Sequence, residues 1–194
     1  LEKLDTPCLL LDKELLEKNC ENVRRKLEKD NVTLRPHVKT PKSIEIARVA
    51  LGTKSGPITV STLKEAEFFA SAGFKDILYA VSIVPNKLSR LKNIENKYNC
   101  KIICILDSLE IAKKLMSFSK LNNFKLNVLI EIDCGEGRTG LKFDSNIIYE
   151  ISRILKKEPL IDLRGVLTHA GHSYSSNKTT IITKIAEEEK RQAL

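Results

Sequence analysis

The sequence predicts an α/β protein built on a parallel sheet of about six βα units, as in an open doubly wound sheet or an incomplete (β/α)8 barrel. Three observations point there. Short apolar runs alternate strictly with longer stretches of helical periodicity. The runs begin roughly 20–35 residues apart, the repeat of a parallel βα protein. No Pro/Gly/Ser-rich linker or low-complexity run breaks the 194 residues. A doubly wound open sheet has the same alternation and is the competing architecture.

The elements follow in order. Residues 6–11 (TPCLLL) read as a strand, and 13–29 as an amphipathic helix with Leu15, Leu16, Cys20, Val23 and Leu27 inward. A short strand at 34–38 ends in Lys39. Thr40 is suited to N-cap the next helix and Pro41 to its first position, with Gly52 as the stop. Strands are expected at 57–60, 76–81, 101–106, 127–132 and 163–168. The signals Thr62-x-x-Glu65 and Asp107-x-x-Glu110 read as capping boxes. Pro85 opens a helix to about residue 97, another covers about 145–157, and a last one fills the tail.

Composition narrows the function classes. The net charge is +8, yet the basic residues are spread along helices and aromatics are only 5 %. That pattern suits solvated faces, not a nucleic-acid groove. No apolar run is long enough to span a bilayer, and no basic-then-apolar leader opens the chain. Cys8, Cys20, Cys100, Cys104 and Cys134 form no CxxC pair, so reduced, mostly buried thiols and a cytoplasmic setting are expected.

Chemistry-bearing residues fall at strand carboxyl ends, which share one face in a parallel βα protein. Lys39 ends the strand at 34–38, crowded in sequence by Arg35, His37 and Lys42. Neighbouring positive charge favours a neutral, nucleophilic amine. The segment 131–140 (EIDCGEGRTG) ends another strand, and its loop is suited to aim Arg138 into a site. It also spells G-x-G-x-x-G, but residues 141–144 separate it from the next helix, which does not suit a dinucleotide fingerprint. The segment 168–174 (THAGHSY) ends a third strand with His169. An amine, a guanidinium and an imidazole together suit a cofactor cradle.

At these residues the sequence resembles a known family. RPHVKTPK, IEIDCGEGRTG and GVLTHAGHSY are similar, in order, to the signature segments of the D-serine dehydratase and D-threonine aldolase family. That family belongs to the alanine racemase-like, fold-type III pyridoxal-phosphate enzymes. The resemblance implies a pyridoxal-phosphate barrel with Lys39 as the catalytic, cofactor-linked lysine. It implies Arg138 near the cofactor's phenolic oxygen, His169 packed on its ring, and Tyr174 among the cofactor-pocket residues. Pro41 replaces the second histidine of the family's PHVKTHK pattern.

The resemblance also implies a lyase acting on small D-hydroxy amino acids, by dehydration or by retro-aldol cleavage. A homodimer is expected. Residues 1–12 would supply a strand to a C-terminal β domain absent here, and 13–194 part of the barrel. No metal ligands are assigned in this span; a divalent metal, zinc or manganese, is expected from the family's later part. A non-catalytic pyridoxal-phosphate carrier and a nicotinamide-dependent dehydrogenase are the competing functions.

Overall fold

The computed structural model describes residues 4–194. Of the expected first strand region, residues 1–3 lie outside the described residues, and 6–11 form no strand. An extended segment needs a sheet edge to pair with. None reaches this one among the described residues, and Leu9, Leu10 and Leu11 are exposed.

Helix α1 (Lys13–Lys29) follows, capped by Asp12, whose carboxylate accepts the Leu15 amide at 2.9 Å. None of its residues is fully buried. It is tied to α2 (Ile44–Leu51) by Arg24, which donates to the Val49 and Ala50 carbonyls at the end of α2.

The strand expected at 34–38 is reduced to one bridge, His37 opposite Thr59. The Val38 amide donates to the Thr59 carbonyl and the Thr59 amide to the Pro36 carbonyl, both at 2.9 Å. Pro36 has no N–H to extend the ladder, and the chain turns at Lys39. The helix does not start at Thr40–Pro41 as expected. Ser43 is the N-cap and accepts the Ile46 amide, while Lys42 turns the chain with φ +44°.

Then come β1 (Pro57–Val60), α3 (Leu63–Ser71), β2 (Asp76–Ser82), α4 (Leu88–Tyr98), β3 (Lys101–Leu106), α5 (Leu109–Asn122) and β4 (Leu126–Asp133). A two-residue β5 (Leu141–Lys142), α6 (Asn146–Leu155), β6 (Ile161–Thr168) and α7 (Thr179–Ala193) complete the chain. The capping box of α3 forms as expected from Thr62 and Glu65. The one expected at α5 does not. Ser108 is the cap there, and Asp107 instead accepts the Gly140 amide at 3.0 Å.

All strand pairs are parallel. The order is sequential: the 37–59 bridge, β1, β2, β3, β4, then β6. β3 and β6 pair overlapping stretches of β4, so they lie on opposite sides of it. β5 extends the top of β4 on the β3 side. There is no reversal of order, so the sheet winds as a partial barrel wall and not as a doubly wound sheet.

Alternation within each strand separates two faces. Ile58, Val60, Ile77, Tyr79, Ile102, Cys104, Val128 and Ile130 are buried in one core with the apolar sides of α2–α6. A fully buried side chain of this size is worth about 1.5–3 kcal/mol. The inner face carries a smaller cluster of Leu78, Ile103 and Ile105, flanked by Ala80, Leu129 and Leu167. Because every strand points the same way, all carboxyl ends open onto one rim of this inner face.

Candidate active site

At that rim lies a cavity of about 410 Å³ whose lining includes Lys39, Arg138 and His169. Three separate strand ends thus bring an amine, a guanidinium and an imidazole together. Leu78, Ala80 and Leu167 form an apolar floor, with the hydroxyls of Ser61, Ser82 and Thr168 around it. Tyr174 does not line the cavity. It is 82 % exposed, and its ring packs edge-to-face with His169, centroids 6.1 Å apart.

Lys39 projects from the turn that follows the bridged segment. Its backbone N–H donates to His37 Nδ1 at 3.3 Å, so the proton of neutral His37 sits on Nε2, 3.4 Å from the Ser61 hydroxyl. Burial, and then the Lys39 charge, lower the His37 pKa below the ordinary histidine value. The expected crowding of Lys39 is only partly present. Arg35 binds Asp76 at the amino end of β2, and Lys42 pairs with Glu65 at 3.5 Å. Both are drawn away by carboxylates, which leaves His37 as the near neighbour.

The loop between β4 and β5 is built by its glycines. Asp133 accepts the amides of Gly135 and Gly137, both at 3.0 Å. These two bonds hold its carboxyl below the usual carboxylate range. Gly140, with φ +97°, passes so close to β4 that a Cβ there would lie 2.6 Å from the Asp133 nitrogen. This is a tight loop lashed to a strand end. It leads into β5, not into a helix N-terminus, so it lacks the geometry of a dinucleotide fingerprint.

Two carboxylates emerge that spacing did not single out. Glu131, 5 % exposed on β4, accepts the Thr139 hydroxyl at 2.9 Å and the Ser82 hydroxyl at 3.3 Å. Its only legible signal was an acid inside an apolar strand. Glu136 lies 2.9 Å from His169 Nδ1 and 3.6 Å from Arg138 Nη1. The Gly171 amide approaches the same nitrogen at 3.1 Å. A bond to a carboxylate is worth about 1.5–3 kcal/mol against about 1 for a neutral amide. The carboxylate therefore sets the proton on Nδ1. The histidine bond is also the main reason that the Glu136 carboxyl stays below its usual range.

No group of three or more His, Cys, Asp or Glu side chains suited to a metal occurs among the described residues. Cys100, Cys104 and Cys134 are buried free thiols, and burial pushes the Cys104 thiol up to about 12.

The site fits a flat, anionic aromatic aldehyde. It offers one amine for a covalent link, cationic and imidazole groups for anionic oxygens and a ring, and an apolar floor. Independently, the model of the alanine racemase N-terminal domain family matches residues 11–191. The chain belongs to that family.

Among its relatives is the D-threo-3-hydroxyaspartate dehydratase of Delftia sp. strain HT23, 37 % identical over 96 % of this chain and 49 % of that protein. The solved structure of that dehydratase superposes with a TM-score of 0.93 at 36 % identity, covering 98 % of this chain and 50 % of the other. A cysteine-to-alanine variant of the dehydratase is described as being in the metal-free form. A D-serine dehydratase of Dictyostelium discoideum is 32 % identical over 98 % of this chain and 51 % of that protein. The D-threonine aldolase of Filomicrobium marinum shares the fold, with a TM-score of 0.87 at 21 % identity over 97 % of this chain and 50 % of the other. The chain therefore spans about half the length of the relatives it matches. The family's barrel fold agrees with the sequential parallel sheet described above.

Proposed function

We propose that this chain is the cofactor-lysine half of a pyridoxal-phosphate-dependent lyase acting on a small D-hydroxy amino acid. The observation that carries the reading is the convergence of Lys39, Arg138 and His169 on one cavity from three strand ends. Relatives named as a dehydratase of D-threo-3-hydroxyaspartate and as a D-serine dehydratase support the substrate class.

Lys39, whose amine lines the cavity, would hold the cofactor through Nζ and would serve as the base for the proton at the substrate α-carbon. Arg138 would hold the ring's phenolic oxygen and His169 would pack against the ring, since both line the same cavity. Tyr174 steadies His169 without entering the cavity. The bound cofactor supplies the electron sink for the α-carbon. Dehydration and retro-aldol cleavage both begin with this same arrangement, and relatives of both kinds exist.

The remaining parts of the reading concern the whole protein. The segment 6–11, which forms no strand here and leaves Leu9, Leu10 and Leu11 exposed, would pair with a β domain of the whole protein. A divalent metal, zinc or manganese, is held by ligands beyond this span. The whole protein is a cytoplasmic homodimer in this reading. Separately, no helix among the described residues is long and apolar enough to cross a membrane.

The deciding experiment is borohydride reduction of the full protein loaded with pyridoxal phosphate, followed by peptide mapping. A pyridoxyl group on Lys39 is expected. Its absence, or its appearance on another lysine, overturns the assignment. Assays with D-serine, D-threonine and D-threo-3-hydroxyaspartate, scored for α-keto acid or for glycine, separate dehydration from cleavage.

A further inference from the structure

Glu136 has no place in the chemistry just described, yet it touches two of the residues assigned to the cofactor. We propose that Glu136 is the positioning residue of the site, one carboxylate that orients His169 with one oxygen and Arg138 with the other. The proposal rests on the cofactor reading above.

The geometry is two-sided. Oε2 lies 2.9 Å from His169 Nδ1, and Oε1 lies 3.6 Å from Arg138 Nη1. The two partners come from different loops, the one after β4 and the one after β6, which share no strand pairing at these residues. Glu136 is the link between them. Its side chain is 24 % exposed and that of His169 33 %, so water screens the pair only in part.

The backbone is shaped for this contact from both sides. Gly135 and Gly137 flank Glu136 with φ of +114° and +68°, and both of their amides are held by Asp133. The carboxylate is therefore presented from an anchored turn. On the other side, Gly171 has an ordinary φ, so conformational freedom does not explain the glycine. Space does. A Cβ there would lie 2.4 Å from Glu136 Oε1 and 2.6 Å from His169 Cε1.

The chemical consequence is a preferred tautomer. In the neutral ring the carboxylate favours the proton on Nδ1, which leaves Nε2 as an acceptor and sets the plane of the imidazole. The Arg138 side chain is 52 % exposed, and at 3.6 Å the same anion biases its guanidinium toward the cavity without locking it there.

The test uses the full protein, first without cofactor. Nitrogen chemical shifts of the imidazole, assigned by loss of the signal in His169→Gln, are expected to show the Nδ1-protonated tautomer in the parent and a mixture in Glu136→Ala. In the loaded protein, Glu136→Ala is expected to weaken pyridoxal-phosphate binding about tenfold, the scale on which outer hydrogen-bond partners act, and to shift its visible absorption maximum. Gly171→Ala, which displaces the carboxylate and leaves every charge in place, should reproduce both effects. Glu136→Gln keeps the shape and serves if the alanine variant fails to fold; both readouts should move in the same direction. An unchanged tautomer overturns the proposal, as does unchanged cofactor affinity and absorption. If the parent yields no pyridoxyl-Lys39 on reduction, the cofactor reading fails, and the cofactor-directed role of Glu136 fails with it.

Discussion

Lys39 and Lys42 stand three residues apart and have different fates. Lys39 lines the cavity, whereas Lys42 is turned outward at φ +44° and pairs with Glu65, itself engaged in capping α3. Lys39→Ala in the full protein should abolish covalent cofactor and activity, while Lys42→Ala should retain both. The Lys42 pair is exposed on the lysine side, so its loss should cost stability by less than about 1 kcal/mol. Absorption spectra and thermal melts of the two variants check this; loss of the cofactor band in Lys42→Ala would refute it. Arg138→Ala should keep the covalent cofactor but shift its absorption and lower kcat. His169→Ala should weaken cofactor retention by about 1 kcal/mol, the worth of one aromatic contact. An unchanged spectrum and rate in Arg138→Ala would return its loop to a purely structural role.

At the scale of elements, α4 carries an acid that opposes its own ionisation. Glu95 is pushed up to about 7, chiefly by burial, although the Ile102 amide donates to it and Lys101 lies near. A raised carboxyl pKa means that the folded state prefers the neutral form. Its contribution to stability is therefore complete below the ordinary carboxylate value and is lost as pH rises through about 7. The full effect is at most about 3 kcal/mol. Glu95→Gln keeps an acceptor for the Ile102 amide and cannot ionise. Urea unfolding of the full protein is expected to show stability falling between about pH 5 and 8 in the parent and a flatter curve in the variant. Equal slopes would sink the assignment. Glu95 also closes the α4–β3 connection, because its carbonyl accepts the Cys100 amide. One residue thus couples the helix end to the start of the next strand.

At the scale of the molecule, the sheet is a curved wall with one helix-covered face and one inner face. The outer edge of β6 is unpaired among the described residues, with Val166 40 % exposed on it. Unpaired strand edges template association. Residues 1–194 expressed alone are therefore expected to self-associate with increasing concentration, whereas a full-length protein that pairs this edge should reach a defined state. Sedimentation velocity distinguishes these outcomes, and a concentration-independent monomer of residues 1–194 would contradict the first.

Much of this was legible in the chain itself. The βα alternation is a matter of local periodicity, so β1, β2, β3, β4 and β6 fall within a few residues of where the apolar runs place them, whereas the two-residue β5 was not expected. Lys39, Arg138 and His169 could be singled out because each follows such a run, and parallel strands put their ends on one rim. The misplaced features all depend on partners distant in sequence. Residues 6–11 have strand-forming composition but no edge to pair with. Thr40 and Pro41 have the chemistry of a helix start, yet the bridge from His37 to Thr59 and the Lys42–Glu65 pair bend the chain into a turn first. Asp107 has the spacing of a cap, but Gly140 from another loop takes its carboxylate. Tyr174 lies in the expected segment and packs on His169, but it does not line the cavity. The sequence by itself determined the winding of the sheet and which strand ends meet at the cavity, because both follow from short-range pattern. Only the tertiary structure decided that Glu136 meets His169 and Arg138, and that Glu131 takes the Ser82 and Thr139 hydroxyls, because these partners come from separate strands and loops that meet in space.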